Sequence, residues 1–148
     1  MSSTLQILCP HCGAINRVPA ARLEEHPHCG HCHEALFSGH PIELSESAFE
    51  RHLRKSQIPL LVDFWASWCG PCRMMAPQFE AAAARLEPHM RLAKVNTEEA
   101  TSLALRYGIR SVPTLVLFAD GREIARTSGA MHAHDIVAWA NTHRPSAI

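Results

Sequence analysis

The six cysteines of this chain fall into three pairs of one spacing: Cys9-Pro-His-Cys12, Cys29-Gly-His-Cys32 and Cys69-Gly-Pro-Cys72. Two intervening residues bring a pair of sulfurs to one side of a tight turn, which suits a metal ligand set or a reversible disulfide. The surroundings decide between them, and the surroundings differ. Residues 1–38 are dense in cysteine and histidine and show little apolar periodicity, so the stretch is expected to lack a core of its own and to need a staple. Residues 42–144 read instead as alternating strands and helices.

In that second region Ser45 is placed to cap a helix running to Ser56, with Phe49 and Leu53 at helical spacing. The apolar run Leu60–Trp65, preceded by Pro59, predicts a buried central strand. A helix over 70–87 comes next, with Pro77 inside it, then a strand over Arg91–Asn96 and a helix over 98–107 stopped at Gly108. Thr114–Phe118 and Glu123–Ser128, joined across Asp120-Gly121, predict a hairpin, and His134–His143 a closing helix with Ile136, Val137 and Trp139 inward. The order implies an α/β fold with a mixed sheet covered on both faces.

Cys69-Gly-Pro-Cys72 stands where the apolar strand ends and a helix begins. Free N–H groups and the positive end of the dipole stabilise a thiolate there, and only the thiolate attacks a disulfide. Cys69, at the mouth of the turn, is the expected nucleophile. Cys72, one helical turn in, is placed to resolve the mixed disulfide, and Pro71 has no N–H to lose.

Val62-Asp-Phe-Trp-Ala-Ser-Trp-Cys-Gly-Pro-Cys-Arg-Met-Met-Ala-Pro77 resembles the thioredoxin signature, and Tyr107-Gly-Ile-Arg-Ser-Val-Pro-Thr114 and Ser128-Gly-Ala130 come after it in that family's order. The resemblance covers residues 42–144. It implies the thioredoxin fold and reduction of protein disulfides through Cys69 and Cys72, which cycle through a redox-active disulfide and maintain redox balance. It further implies disulfide-bearing client proteins and a flavin- and NADPH-dependent thioredoxin reductase as partners. By position, Pro113 matches the family's cis-proline, which presents the backbone of Val112 to a substrate strand. Trp68, Gly70, Pro71 and Gly129 match the rest of the substrate groove. Asp63 matches the buried carboxylate beneath the second cysteine, the proton acceptor for Cys72, and Lys94 its charged neighbour. Phe64 and Trp65 read as core. The Gly-Pro pair resembles reducing members rather than oxidases or isomerases; Ser67 and Ser111 stand at positions that vary in the family, which bears on substrate preference.

Sixteen residues separate the Cys9–Cys12 and Cys29–Cys32 turns, a spacing that points to one tetrahedral Zn²⁺ in a ribbon or knuckle of residues 1–38, beside a redox domain of residues 39–148. A closed four-thiolate site has no open position and is structural. Competing readings are haem attachment at Cys29-Gly-His-Cys-His33, a second redox centre at Cys9-Pro-His-Cys12, disulfides among the four thiols, and a histidine ligand in place of a cysteine. The whole chain resembles the longer thioredoxins with an N-terminal zinc module, the thioredoxin-2 type. Fourteen basic residues balance fourteen acidic ones, which argues against nucleic acid or an anionic membrane as partner. The N-terminus lacks the pattern of a secretory signal and no apolar run could span a bilayer, so a cytoplasmic protein is expected, and the resemblance implies a bacterial one; a monomer is expected. The competing function is a redox-poised binding module that recruits a partner through the zinc knuckle.

Overall fold

The computed structural model describes residues 3–145. It opens with an antiparallel hairpin, β1 (Thr4–Leu8) and β2 (Ile15–Pro19), succeeded by a single 3₁₀ turn at Ala20–Arg22. The remainder alternates: β3 (Ile42–Glu43), α1 (Glu46–Lys55), β4 (Leu60–Trp65), α2 (Gly70–Leu86), β5 (Arg91–Asn96), α3 (Thr101–Arg106), β6 (Thr114–Ala119), β7 (Arg122–Ser128) and α4 (Ala133–His143). The five strands from β3 onward form one mixed sheet in the order β3-β5-β4-β6-β7. β3, β5 and β4 run parallel, and β6 and β7 are antiparallel. This is the thioredoxin fold that the resemblance implies.

Strand alternation divides the core into two layers. Leu61, Leu92, Leu115 and Leu117 face α2 and α4, where Met75, Phe79, Ala82, Ile136 and Ala140 cover them. Val62, Phe64, Ala93, Val95, Val116 and Phe118 face α1 and α3, covered by Phe49 and Leu103. Ser45 caps α1 as its position suggests, accepting the Ala48 N–H at 3.2 Å. In the β6–β7 hairpin Asp120 and Gly121 both take positive φ, 54° and 79°, the mirror-image turn whose twist matches the strands it joins. Helix α3 begins later than the sequence suggests. Its expected first residues are held in a turn, with the Glu98 N–H on Asn96 Oδ1 and Thr97 bonded through N and Oγ1 to the Trp65 carbonyl.

The N-terminal segment departs from expectation. It does bury a core, built from Ile7, Val18, Leu23, Leu36, Cys9 and Cys29, and one wall of it is Ile58 from the redox domain. The ribbon is therefore docked. Gln6 exchanges hydrogen bonds with Gln57 and donates to the Lys55 carbonyl, Arg51 donates to the Gly13 carbonyl at 2.7 Å, and Glu87 accepts the Gly39 N–H. At the centre of the junction Arg91, on β5, is fully buried. Its guanidinium donates to the carbonyls of Leu36 at 2.8 Å and Leu8 at 3.3 Å and lies over the Phe37 ring. No helix among the described residues is long and apolar enough to cross a membrane.

Candidate functional site

Cys69 is the N-cap of α2, extended at φ −86° and ψ 111°, and Pro71 stands in the first helical turn. Its Sγ accepts the Cys72 N–H at 3.1 Å, which is the cap interaction of the helix made by sulfur. The two cysteines are joined as a disulfide with Cα atoms 5.2 Å apart. Cys69 Sγ also lies 3.5 Å from the Val112 carbonyl oxygen. The Val112–Pro113 peptide is cis, as the resemblance implies. Gly129 donates its N–H to the Pro113 carbonyl at 2.9 Å, which ties its segment to the loop that touches the sulfur.

With the disulfide formed, only 2% of Cys69 is exposed. The disulfide tucks its sulfur against Cys72 and Ala66, with Trp65 and Val112 packed alongside. What is exposed is the rim, above all Trp68 at 69%, with Pro71 and Gly129. A Cβ at Gly129 would meet nothing within 4 Å. Glycine there answers to a φ of +100°, not to crowding by the fold.

The loop carrying Trp68 and Cys69 is clasped from two sides, which the sequence does not reveal. Ser67 donates both its N–H, at 2.8 Å, and its hydroxyl, at 2.6 Å, to Glu98 Oε1. Those bonds hold the Glu98 carboxyl below the usual carboxylate range. From α2, Arg73 donates to the Ser67 carbonyl at 2.6 Å. An acid two residues after a strand, with no motif around it, offers no signal.

Asp63 lies in the middle of β4 at 1% exposure, two residues after Leu61 and on the same face, under the first turns of α2. Burial pushes its carboxyl up to about 7, while the nearby Lys94 pulls the other way. Its Oδ1 has no hydrogen-bond partner. A carboxyl poised there can accept or give a proton at neutral pH. Lys94 is its register partner on β5, and Phe64 is fully buried while Trp65 is half-buried.

The other four sulfurs lie together in the ribbon, all within 4.8 Å of one another. The shortest approaches cross between turns, Cys9 to Cys32 and Cys12 to Cys29, each 3.6 Å. Backbone N–H groups point at them, His11 at Cys9 and His31 at Cys29. Cys29 is lowered to about 5 by the Cys32 N–H, with Asn16 assisting. Cys32 is pushed up to about 12: the Glu34 backbone favours its thiolate, but desolvation and the three neighbouring sulfurs outweigh it. Four such thiols cannot all ionise beside one another without a cation. A soft divalent ion bound by all four removes the conflict, and the spacing suits tetrahedral Zn–S bonds of about 2.3 Å.

Comparison with known proteins agrees with both halves. Residues 40–142 match the family described as Thioredoxin, and residues 8–34 match a zinc-ribbon family described as Thioredoxin 2, N-terminal. Thioredoxin C-3 of Corynebacterium nephridii is 47% identical over 133 residues, covering 90% of this chain and 91% of that protein. Thioredoxin 1 of Synechococcus elongatus is 46% identical over 88 residues, 60% of this chain and 82% of that protein. Among solved structures, a thioredoxin mutant from Halobacterium salinarum superposes with a TM-score of 0.66 at 29% identity, over 76% of this chain and 97% of that one.

Proposed function

This chain belongs to the thioredoxin family and is a protein-disulfide reductase with one structural zinc; from that premise we propose how its residues divide the work. Cys69 is the nucleophile. Its thiolate attacks one sulfur of a client disulfide, a mixed disulfide forms, and the other client sulfur leaves as thiolate. Cys72 then gives its proton to the Asp63 carboxylate and attacks the Cys69 sulfur. The second client thiolate departs, the client has gained two electrons, and Cys69–Cys72 is the disulfide present in this structure. The observation that carries the reading is Cys69 as helix N-cap, its sulfur already accepting a backbone N–H where a thiolate would need one.

The client strand binds across Trp68, Gly70, Pro71 and Gly129 and pairs with the Val112 backbone beside Pro113. Support comes from the Val112 carbonyl beside Cys69 Sγ, the bond from Gly129 to Pro113 and the exposed Trp68 ring. Cys9, Cys12, Cys29 and Cys32 hold the zinc, and Lys94 supports Asp63. The division falls after residue 38, in keeping with a ribbon core that ends at Phe37 and a sheet that begins at Ile42. A thioredoxin reductase that uses flavin and NADPH returns the disulfide to the dithiol. The protein works as a monomer in the bacterial cytoplasm; its thioredoxin relatives in bacteria support the compartment.

Insulin reduction tests the assignment of roles. Cys69→Ser abolishes turnover, whereas Cys72→Ser accumulates mixed disulfides with the client. Full activity in Cys69→Ser would refute the nucleophile.

A further inference from the structure

Three charged side chains stand in one row across the sheet. Register places Glu43 of β3 opposite Lys94 of β5, and Lys94 opposite Asp63 of β4. Alternation puts all three on one face. Leu44, Ala93, Val95, Val62 and Phe64 belong to the layer under α1 and α3, so the residues between them project toward α2. The row thus runs from Glu43, exposed on the edge strand, to Asp63, sealed in the centre. Lys94 lies between them with its ammonium 4.8 Å from the centre of the Trp65 ring. Two buried polar atoms on this face have no hydrogen-bond partner, Asp63 Oδ1 and Trp65 Nε1. The charge of Lys94 acts on both carboxylates and is committed to neither.

We propose that Glu43 is a positioning residue for the reductase: by sharing Lys94 with Asp63, it keeps Asp63 a competent proton acceptor for Cys72. The inference rests on the role given to Asp63 above and deepens it. A lysine paired with Asp63 alone would stabilise the carboxylate and leave it a weak base. Glu43 opposes that twice. It draws the ammonium toward the sheet edge, and as a like charge two strands away, about 10 Å, it disfavours ionisation of Asp63. The charged groups bearing on Asp63 are Lys94 from β5 and Glu43 from β3, while the Cys69–Cys72 disulfide at the start of α2 carries no charge; Glu99, in the turn after β5, bears on Glu43. Their directions are consistent: burial and Glu43 raise Asp63, while Lys94 lowers it. Glu43 is itself raised, partial desolvation being the first cause, with Lys94 pulling it down and Glu99 pushing it up.

The test is a carbon-13 titration of the Asp63 carboxyl in the oxidised, zinc-loaded full chain, beside the pH dependence of mixed-disulfide resolution. Glu43→Gln is isosteric on an exposed edge strand, and Glu43→Asp is the conservative control. In Glu43→Gln the Asp63 midpoint should fall by roughly 0.5 to 1, and the pH profile of resolution should move with it, while Glu43→Asp stays near wild type. An Asp63 midpoint near 7 that ignores Glu43→Gln overturns the proposal and leaves the Asp63 role standing. A midpoint near 4 in the wild type overturns the Asp63 role itself. Repeating Glu43→Gln on a Lys94→Met background tests the sharing: the shift should shrink there, and an undiminished shift would refute the part played by the lysine.

Discussion

The Cys69–Cys72 turn and the two ribbon turns have the same spacing, yet their sulfurs pair differently. In the redox domain the two sulfurs of one turn bond to each other, and the Cys72 N–H caps them. In the ribbon each sulfur finds its nearest neighbour in the opposite turn, Cys9 with Cys32 and Cys12 with Cys29. The path of the chain beyond the second cysteine makes the difference. Helix α2 continues from Cys72 and aims its free N–H groups and dipole at Cys69, which favours one thiolate at a time. After Cys12 and Cys32 the chain turns back, at Gly13 with φ 78° and His33 with φ 68°, so the turns present sulfur to one another rather than to a helix end. Spacing brings two sulfurs together; the next element determines whether they exchange electrons or hold a cation.

Removing the metal separates the two uses most sharply. Zinc sites of this kind contribute on the order of 10 kcal/mol to folding at neutral pH. Chelation should therefore melt residues 4–37, seen as loss of amide protection through β1 and β2, while α2 and the central strands stay protected. Insulin reduction should retain most of its rate. Equal loss of activity and ribbon protection would show that the two cysteine sets act as one unit.

Asp63 gives the next largest effect, with opposite sign. The ribbon's metal stabilises, whereas the buried Asp63 carboxyl, with Oδ1 unpartnered, destabilises the fold when it ionises. Its folded pKa, about 7, lies above the ordinary value of 3.8, so the folded protein holds this proton more tightly than the unfolded chain. The stability that proton binding confers is present in full below the unfolded value and is lost as pH rises from about 4 to about 7. Asp63→Asn should remove that slope. At pH 8 the oxidised variant should be more stable by up to about 4 kcal/mol in urea unfolding, while release of clients from the mixed disulfide slows. A variant with the wild-type slope and wild-type release would contradict both.

The contrast between the regions also governs how much of each is legible in the sequence. In the redox domain, long apolar runs and one turn signal suffice: β4 and β5 lie where the pattern puts them, because a strand buried on both faces leaves no other pattern to choose. The ribbon's strands escape such a reading. Leu5 and Ile7, or Ile15 and Val18, are too few to show a period, and the core they enter is completed by Leu36 and Ile58, far along the chain. Arg91 reads as the polar start of a strand. Its buried role depends on where the Leu8 and Leu36 carbonyls come to rest, which no local pattern encodes. Glu98 and Glu43 escape notice for the same reason, since each meets its neighbour, Ser67 or Lys94, only through a loop or through strand register.

The junction between the regions supplies the smallest effect, and it involves a histidine. His52 lies on α1 among the residues that hold the ribbon, between Arg51, bonded to Gly13, and Ser56, whose hydroxyl accepts the Leu8 N–H. It is buried, and its Nδ1 has no partner. Desolvation first, then the charges of Arg91 and Arg51, lower its pKa to about 4. The folded state therefore resists protonation that the unfolded chain accepts near 6.5. Stability is full above that value and is lost as pH falls toward 4, by up to about 3 kcal/mol. His52→Leu should abolish this part of the acid slope, because a leucine neither charges nor leaves a ring nitrogen unpaired. Unfolding midpoints between about pH 5 and 6.5 read the difference, and amide exchange in β1 would localise it to the ribbon side. If wild type and His52→Leu lose stability in parallel over that range, His52 does not make the junction sensitive to acid, and the docking of the two regions rests on Arg91, Arg51, Gln6 and their neighbours without it.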